Sequence, residues 1–182
     1  MITRTAVCFL LGFASFAVNQ TRTEKDLPRI ASPEVLAIEM AKALVSGDRD
    51  RVTALCATRK EMEEMLEAAW RPARPEDRQY VKDHVAEIIA ARRGDFDRFQ
   101  GMKKKANVRE GVASRFEVVR LEPIYVKDGM TKIRHSRLRM VQTSADGKEE
   151  AFLISLDDMF IFPRGWAFTS IMPGIGKEAS IK

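Results

Sequence analysis

The residues of this sequence best suited to moving protons are two histidines, His84 and His135, a tyrosine, Tyr125, and the adjacent carboxylates Asp157 and Asp158. Imidazole and carboxylate act as general bases, and a phenol can donate a proton to a developing charge. Their spacing limits what they can do together. Asp157-Asp158 interrupts a segment that is apolar on both faces, from Phe152 to Leu156 and again from Met159 to Phe162. Adjacent strand residues point to opposite sides, so the two carboxylates share a site only if a bulge intervenes. The pattern reads as a kink or an edge position, with one aspartate accepting local hydrogen bonds. His135 alternates with Ile133, Arg137, Arg139 and Val141, while Ser136, Leu138 and Met140 take the other strand face. A face with two arginines is wet, so His135 reads first as a solvated strand residue. Tyr125, after Pro123-Ile124, reads as an amphipathic cover of a sheet. His84 sits on a helix flank beside Val81, Val85 and Ile88 and reads as packing.

Other common chemistries find no motif. No His-x-x-x-His or Cys-x-x-Cys pair marks a metal site, and neither a glycine-rich phosphate loop nor Gly-x-Ser-x-Gly is present. No cofactor is expected. The basic residues do gather in two groups. Arg92, Arg93, Arg98, Lys103, Lys104 and Lys105 surround the end of a long helical segment, and Lys127, Lys132, Arg134, Arg137 and Arg139 line a candidate hairpin. Cations at a helix C-terminus offset its dipole, and cations on strands discourage edge pairing. Their functional alternative is an anionic partner, such as lipid headgroups or an acidic polysaccharide, with Lys103, Lys104, Lys105, Arg137 and Arg139 as the binding residues.

The elements that must position these side chains fall in two blocks. Ser32-Pro33-Glu34 starts a helix, with a serine cap and proline at the first helical position, and Gly47 stops it. Asp48 starts a short second helix holding Val52, Leu55 and Cys56. Thr58-Arg59-Lys60-Glu61 is a capping box for a third. Two prolines in Arg71-Pro72-Ala73-Arg74-Pro75 break the helical pattern. A long amphipathic helix is predicted from Glu76 to Arg93, a bend at Gly94-Asp95, and further helical turns through Phe96, Phe99 and Met102. From Val108 onward, β-branched and aromatic runs predict strands over 108–120, with 123–127 as part of the same or a neighbouring strand, and over 131–143, 149–161 and 165–172. Asp128-Gly129 and Asp146-Gly147 supply hairpin turns, and residues after Pro173-Gly174 read as a frayed tail. Helices first and strands second predict an α+β domain, its helices on one face of a curved antiparallel sheet of about four strands.

Over roughly residues 32–172 this order resembles the NTF2-like superfamily, the cone-shaped (cystatin-like) fold of ketosteroid isomerases, polyketide cyclases and many exported accessory proteins. The resemblance is carried by the helix break Ser46-Gly47-Asp48-Arg49-Asp50, the three-helix then four-strand order, Leu156-Asp157-Asp158 and the closing Gly165-Trp166-Ala167-Phe168. It implies that Trp166 packs its ring on the sheet, and that the open sheet face serves a homodimer. It also implies that an enzyme of this kind would hold a polar group inside the cone, with His135 or Asp157 as base and Tyr125 assisting.

The N-terminus points outside the cytoplasm. Arg4, the apolar run Ala6 to Ala17 and the small residues Ser15 and Ala17 match a secretory signal peptide cleaved near Ala17. A spanning helix needs about 20 apolar residues, and Asn19, Gln20 and Arg22 interrupt this run sooner; a retained anchor is the alternative. Residues 18–31 read as a flexible leader and 32–173 as one domain. With 31 basic and 26 acidic residues the net charge is +5, and loss of Arg4 lowers it by one. That excess is too mild for a nucleic-acid face. Cys8 leaves with the signal, and Cys56 alone forms no internal disulfide. The leading expectation is an exported, non-enzymatic domain that binds a small molecule or an envelope protein, in a periplasmic or secreted setting; a cofactor-independent isomerase- or cyclase-like enzyme is the alternative. Expression in an exporting host should yield a mature chain starting near Val18. N-terminal sequencing checks this, and a full-length membrane-bound product would establish the anchor instead.

Overall fold

The computed structural model describes residues 27–70, 74–125 and 131–178. Within them four helices precede five strands: α1 Pro33–Ser46, α2 Arg49–Leu55, α3 Arg59–Trp70, α4 Pro75–Lys105, then β1 Ser114–Tyr125, β2 Thr131–Thr143, β3 Glu149–Phe162, β4 Gly165–Phe168 and β5 Gly174–Lys177. The helix starts follow their local chemistry. Ser32 Oγ accepts from Val35 N at 3.2 Å, and Asp48 Oδ1 accepts from Arg51 N at 2.8 Å. The box at α3 is reciprocal: Glu61 N donates to Thr58 Oγ1 at 3.2 Å and Thr58 N to Glu61 Oε2 at 2.8 Å. Gly47 closes α1 at φ 76°, where a side chain would be strained.

Gly94 does not bend the chain. Helix α4 runs unbroken for 31 residues, because one interior glycine costs only about 1 kcal/mol while Phe96 and Phe99, just beyond it, are buried in the core. Each of these rings is worth about 2 kcal/mol or more on burial. The aromatic pair decides the outcome.

The sheet is antiparallel, in the order β1-β2-β3-β4, with β5 also paired to β3. Both β4 and β5 use the same edge of β3, β4 at residues 159–162 and β5 at 152–155. The molecule is therefore α+β, with helices against an antiparallel sheet. Three boundaries differ from the sequence expectation. Strand β1 starts at Ser114 rather than Val108, since the segment before it is tied to β2 by Gln142, whose side chain accepts from Arg109 N at 3.0 Å and donates to Arg109 O at 2.9 Å. Strand β4 ends at Phe168, where Thr169 turns to donate from its N and Oγ1 to Asp158 O. Residues 174–177, expected as tail, form β5 and are held by Lys177–Glu150 and by Glu178 N donating to Ala151 O. The Asp128-Gly129 turn lies outside the described residues; the turn at Asp146-Gly147 is formed, with Gly147 at φ 78°.

Two apolar clusters fill the space under the sheet. One joins Leu36, Met40 and Leu44 of α1 and Phe99 of α4 to Leu138, Met140, Phe152, Ile154, Leu156 and Trp166. The other joins Met62 of α3 and Val81 and Val85 of α4 to Phe162 and Ala167. Between them lies the α2–α3 junction, held by two arginines. Arg92 donates to Ala57 O at 2.8 Å and to Thr169 O at 2.9 Å; burial pulls its guanidinium below the ordinary arginine pKa. Arg164, in the β3–β4 turn, donates to Glu61 Oε1 at 2.7 Å, to Cys56 O at 2.8 Å and to Pro28 O at 3.1 Å.

That last bond, with Ile30, corrects the reading of residues 18–31 as flexible throughout. Ile30 is buried and its carbonyl accepts from Trp166 N at 2.8 Å. A Cβ at Gly165 would stand 2.3 Å from that carbonyl oxygen, so the turn can only be glycine. Arg164→Ala removes the charged partner of the Glu61 carboxylate, whose side chain is only 12% exposed and which keeps the Thr58 N bond at Oε2, and frees three elements at once. Removing one partner of a buried pair costs about 3 kcal/mol or more. Urea unfolding should show that loss, and a loss below about 1 kcal/mol would mean that the junction is held by packing alone.

Candidate functional site

Alternation along β1 changes parity once. Val118 pairs with Leu138 on the core side, but the next ladder pair is Arg120 with Arg137, leaving Val119 as a bulge. Without it, Arg120 and Glu122 would follow Val118 onto the apolar face; with it, they join the opposite face and Leu121 turns inward against the core. A second irregularity follows three residues on. Register shifts between Glu122 and Pro123, and Arg134 of β2 is passed over. Opposite it on β3, Asp158 has φ 57°. As a result Ile133 and Ser136, and likewise Leu156 and Met159, are buried although three residues apart. The sheet kinks along this line, as the Asp157-Asp158 interruption led one to expect.

On the outer side of the kink two cross-strand rows meet. One is Glu122, His135 and Asp157; the other is Arg120, Arg137 and Ser155. Together with Ser136 they line an open dent of about 100 Å³. His135 Nδ1 lies 2.6 Å from Asp157 Oδ1. A carboxylate only accepts, so the imidazole donates from Nδ1 and Nε2 is left as its outward polar atom. His135 is half exposed, at 51%, and Asp157 less so, at 21%. Arg120 pairs with Glu122 at 2.8 Å. Arg137 is exposed and has no hydrogen-bonding or ion-pair partner among the described residues.

The structure therefore brings His135 and Asp157 together, and does so on the outer face of the sheet rather than in the interior. Asp158 is separate: it pairs with Lys132 at 2.5 Å, and its carbonyl receives Thr169. Tyr125 ends β1 opposite Thr131, and its side chain lies outside the described residues. His84 stacks on Tyr80 with ring centroids 6.1 Å apart. Arg120, Glu122 and Ser155 were not singled out from sequence; the doublet Val118-Val119 before Arg120 was the available sign of a parity change.

The basic groups divide in the same way. Lys103 is buried, its Nζ donating to Val45 O and Glu110 Oε1 at 3.0 Å each, which removes it from any binding surface. Arg92 is spent on backbone carbonyls. Arg139 is held by Glu178 at 2.7 Å and Glu117 at 3.2 Å; these bonds, Glu178 first, raise its pKa above the ordinary arginine value. Lys104, Lys105 and Arg137 remain exposed. Cys56 is fully buried, and burial pushes its thiol pKa up, away from the nucleophilic thiolate. Among the described residues no cluster of three or more potential ligands could hold a metal, and no helix is long and apolar enough to cross a membrane.

No protein-family model matches this sequence, and no curated protein matches it either. The fold and the site together define the class: an α+β domain with a polar, kinked outer sheet face.

Lys103→Ala should lower unfolding free energy by about 2 kcal/mol, because Val45 O and Glu110 lose a charged donor. The double variant Lys104→Ala, Lys105→Ala should stay within about 0.5 kcal/mol of the parent. Thermal and urea denaturation of both check this, and equal losses would contradict the division of the cluster.

Proposed function

We propose that this chain is an exported, non-enzymatic binding domain of NTF2-like type, and that its recognition surface is the outer sheet face. The observation that carries this reading is the state of the interior. Among the described residues no buried side-chain nitrogen or oxygen lacks a hydrogen-bond partner. The buried polar groups are accounted for: Ser136 donates to Leu156 O, Gln142 is used by Arg109, Thr169 by Asp158 O and Lys103 by Val45 O. An enclosed catalytic site would need a polar group aimed into free space. Helix-first order, the sheet kink and the buried Trp166 support the NTF2-like assignment, and the residues around Arg4 to Ala17 support export.

A second reading, a cofactor-independent acid/base enzyme, has one observation in its favour. The His135–Asp157 bond fixes the imidazole as an oriented base does in hydrolytic enzymes. Against it, the surroundings are open and charged, so water is not excluded.

Native mass spectrometry of the mature protein, purified without detergent, separates the two. A mass equal to the chain alone supports the filled interior. A reproducible small molecule lost on collisional activation would overturn it and favour the enzyme.

A further inference from the structure

Arg137 and Ser155 face one another across β2 and β3, beside the fixed imidazole of His135. Across the other ladder Arg137 faces Arg120. Like charges directly opposite on neighbouring strands repel, and only one of these two cations is neutralised by a side chain, Arg120 by Glu122. Ser155 Oγ is also without a hydrogen-bond partner among the described residues, and it is exposed. It lies close against Gly174, its ladder partner on β5, where an added Cβ would stand 2.5 Å from that oxygen. Two donors without partners and the outward Nε2 of His135 therefore converge on one dent, next to a repulsion that an anion would relieve.

We infer that this dent is a binding site for a phosphate group, held by the Arg137 guanidinium and the Ser155 hydroxyl as donors, with His135 Nε2 accepting from a phosphate hydroxyl. The inference rests on the outer sheet face being the recognition surface. A guanidinium fork matches two phosphate oxygens. The remaining oxygens of a tetrahedral ion reach the serine and the imidazole, which a planar carboxylate with two oxygens cannot do while engaging the fork. The volume, about 100 Å³, suits a single such group rather than a nucleotide. Asp157 and Glu122 do not compete for the ligand's donors, because one is bound by His135 and the other by Arg120. Asp157 acts as a positioning residue for the ring.

The test is a titration with inorganic phosphate at constant ionic strength in chloride, following the Arg137 Nε–Hε resonance and the backbone amides of β2 and β3 by NMR. The expected result is a saturable shift centred on Arg137 and Ser155. Arg137→Ala should weaken binding about tenfold or more, the worth of a hydrogen bond to a charged group, and Ser155→Ala by a smaller factor. Lys104→Ala should leave it unchanged. Glycerol phosphate distinguishes the sources: binding equal to that of phosphate identifies a monoester headgroup as ligand, and weaker binding identifies the free ion. Absence of saturation, equal binding by acetate, or an unchanged affinity in Arg137→Ala overturns the inference. Those results leave the filled interior standing, whereas an occupied interior in the native mass spectrum would fail the broader reading independently.

Discussion

The kink that crosses β1, β2 and β3 is the constraint on which the outer face depends. A strand alternates strictly, so every residue's side is set by its distance from a reference position unless the backbone slips. Here it slips at Val119, and again beside Arg134 and Asp158. Each slip serves burial: Leu121, Ile133 and Met159 all reach the core only because of it. The charged residues between the slips are carried outward by the same geometry. The site at Glu122, His135 and Asp157 is thus a by-product of apolar side chains finding the inside of a bent sheet.

The helices pack against the bent sheet. The α2–α3 junction runs alongside β4, Cys56 forming an isolated parallel bridge with Phe168 and Ala57 N donating to Phe168 O at 2.7 Å. Carbonyls at Cys56 and Ala57 would otherwise be poorly satisfied there, and Arg164 and Arg92 supply the donors. Arginine suits this because its planar fork reaches several acceptors with one charge. The cost of burying two guanidinium groups is offset differently in each. Arg164 has the Glu61 carboxylate, while Arg92 relies on carbonyl oxygens and Met62 Sδ. The first core cluster, the second, and the segment Pro28–Ile30 meet at this junction, so its arginines couple parts of the chain far apart in sequence.

Charge on the outer face is patterned rather than accumulated. Glu117 and Glu178 take Arg139, Glu122 takes Arg120, Asp157 takes His135, and Asp158 takes Lys132. Such pairs are worth little to stability at an exposed surface, but they leave Arg137, like the exposed Arg115 and Arg134, without a carboxylate partner among the described residues, and of these three only Arg137 lines the dent beside His135. A net charge of +5 spread over the chain says nothing of this. What matters for recognition is which cation lacks a carboxylate, and that follows from register.

Local sequence sets the helix starts and the division into helices and strands. Ser32-Pro33, Asp48 and the Thr58–Glu61 box act within a few residues, so their outcome does not wait on the rest of the chain. The α+β class was legible for the same reason, as was the kink at Asp157-Asp158, where two charges interrupt an apolar run. Only the tertiary structure decided the continuity of α4 through Gly94, because that rests on Phe96 and Phe99 meeting a core made by distant strands. It alone decided that Lys103 is internal while Lys104 and Lys105 are not, since Val45 O lies 58 residues away in the chain. Strand β5 and the anchoring of Ile30 likewise depend on edges and turns supplied by β3 and β4. The pairing of His135 with Asp157, and the exposure of Arg137 beside them, needed the register of three strands, which no stretch of local sequence contains.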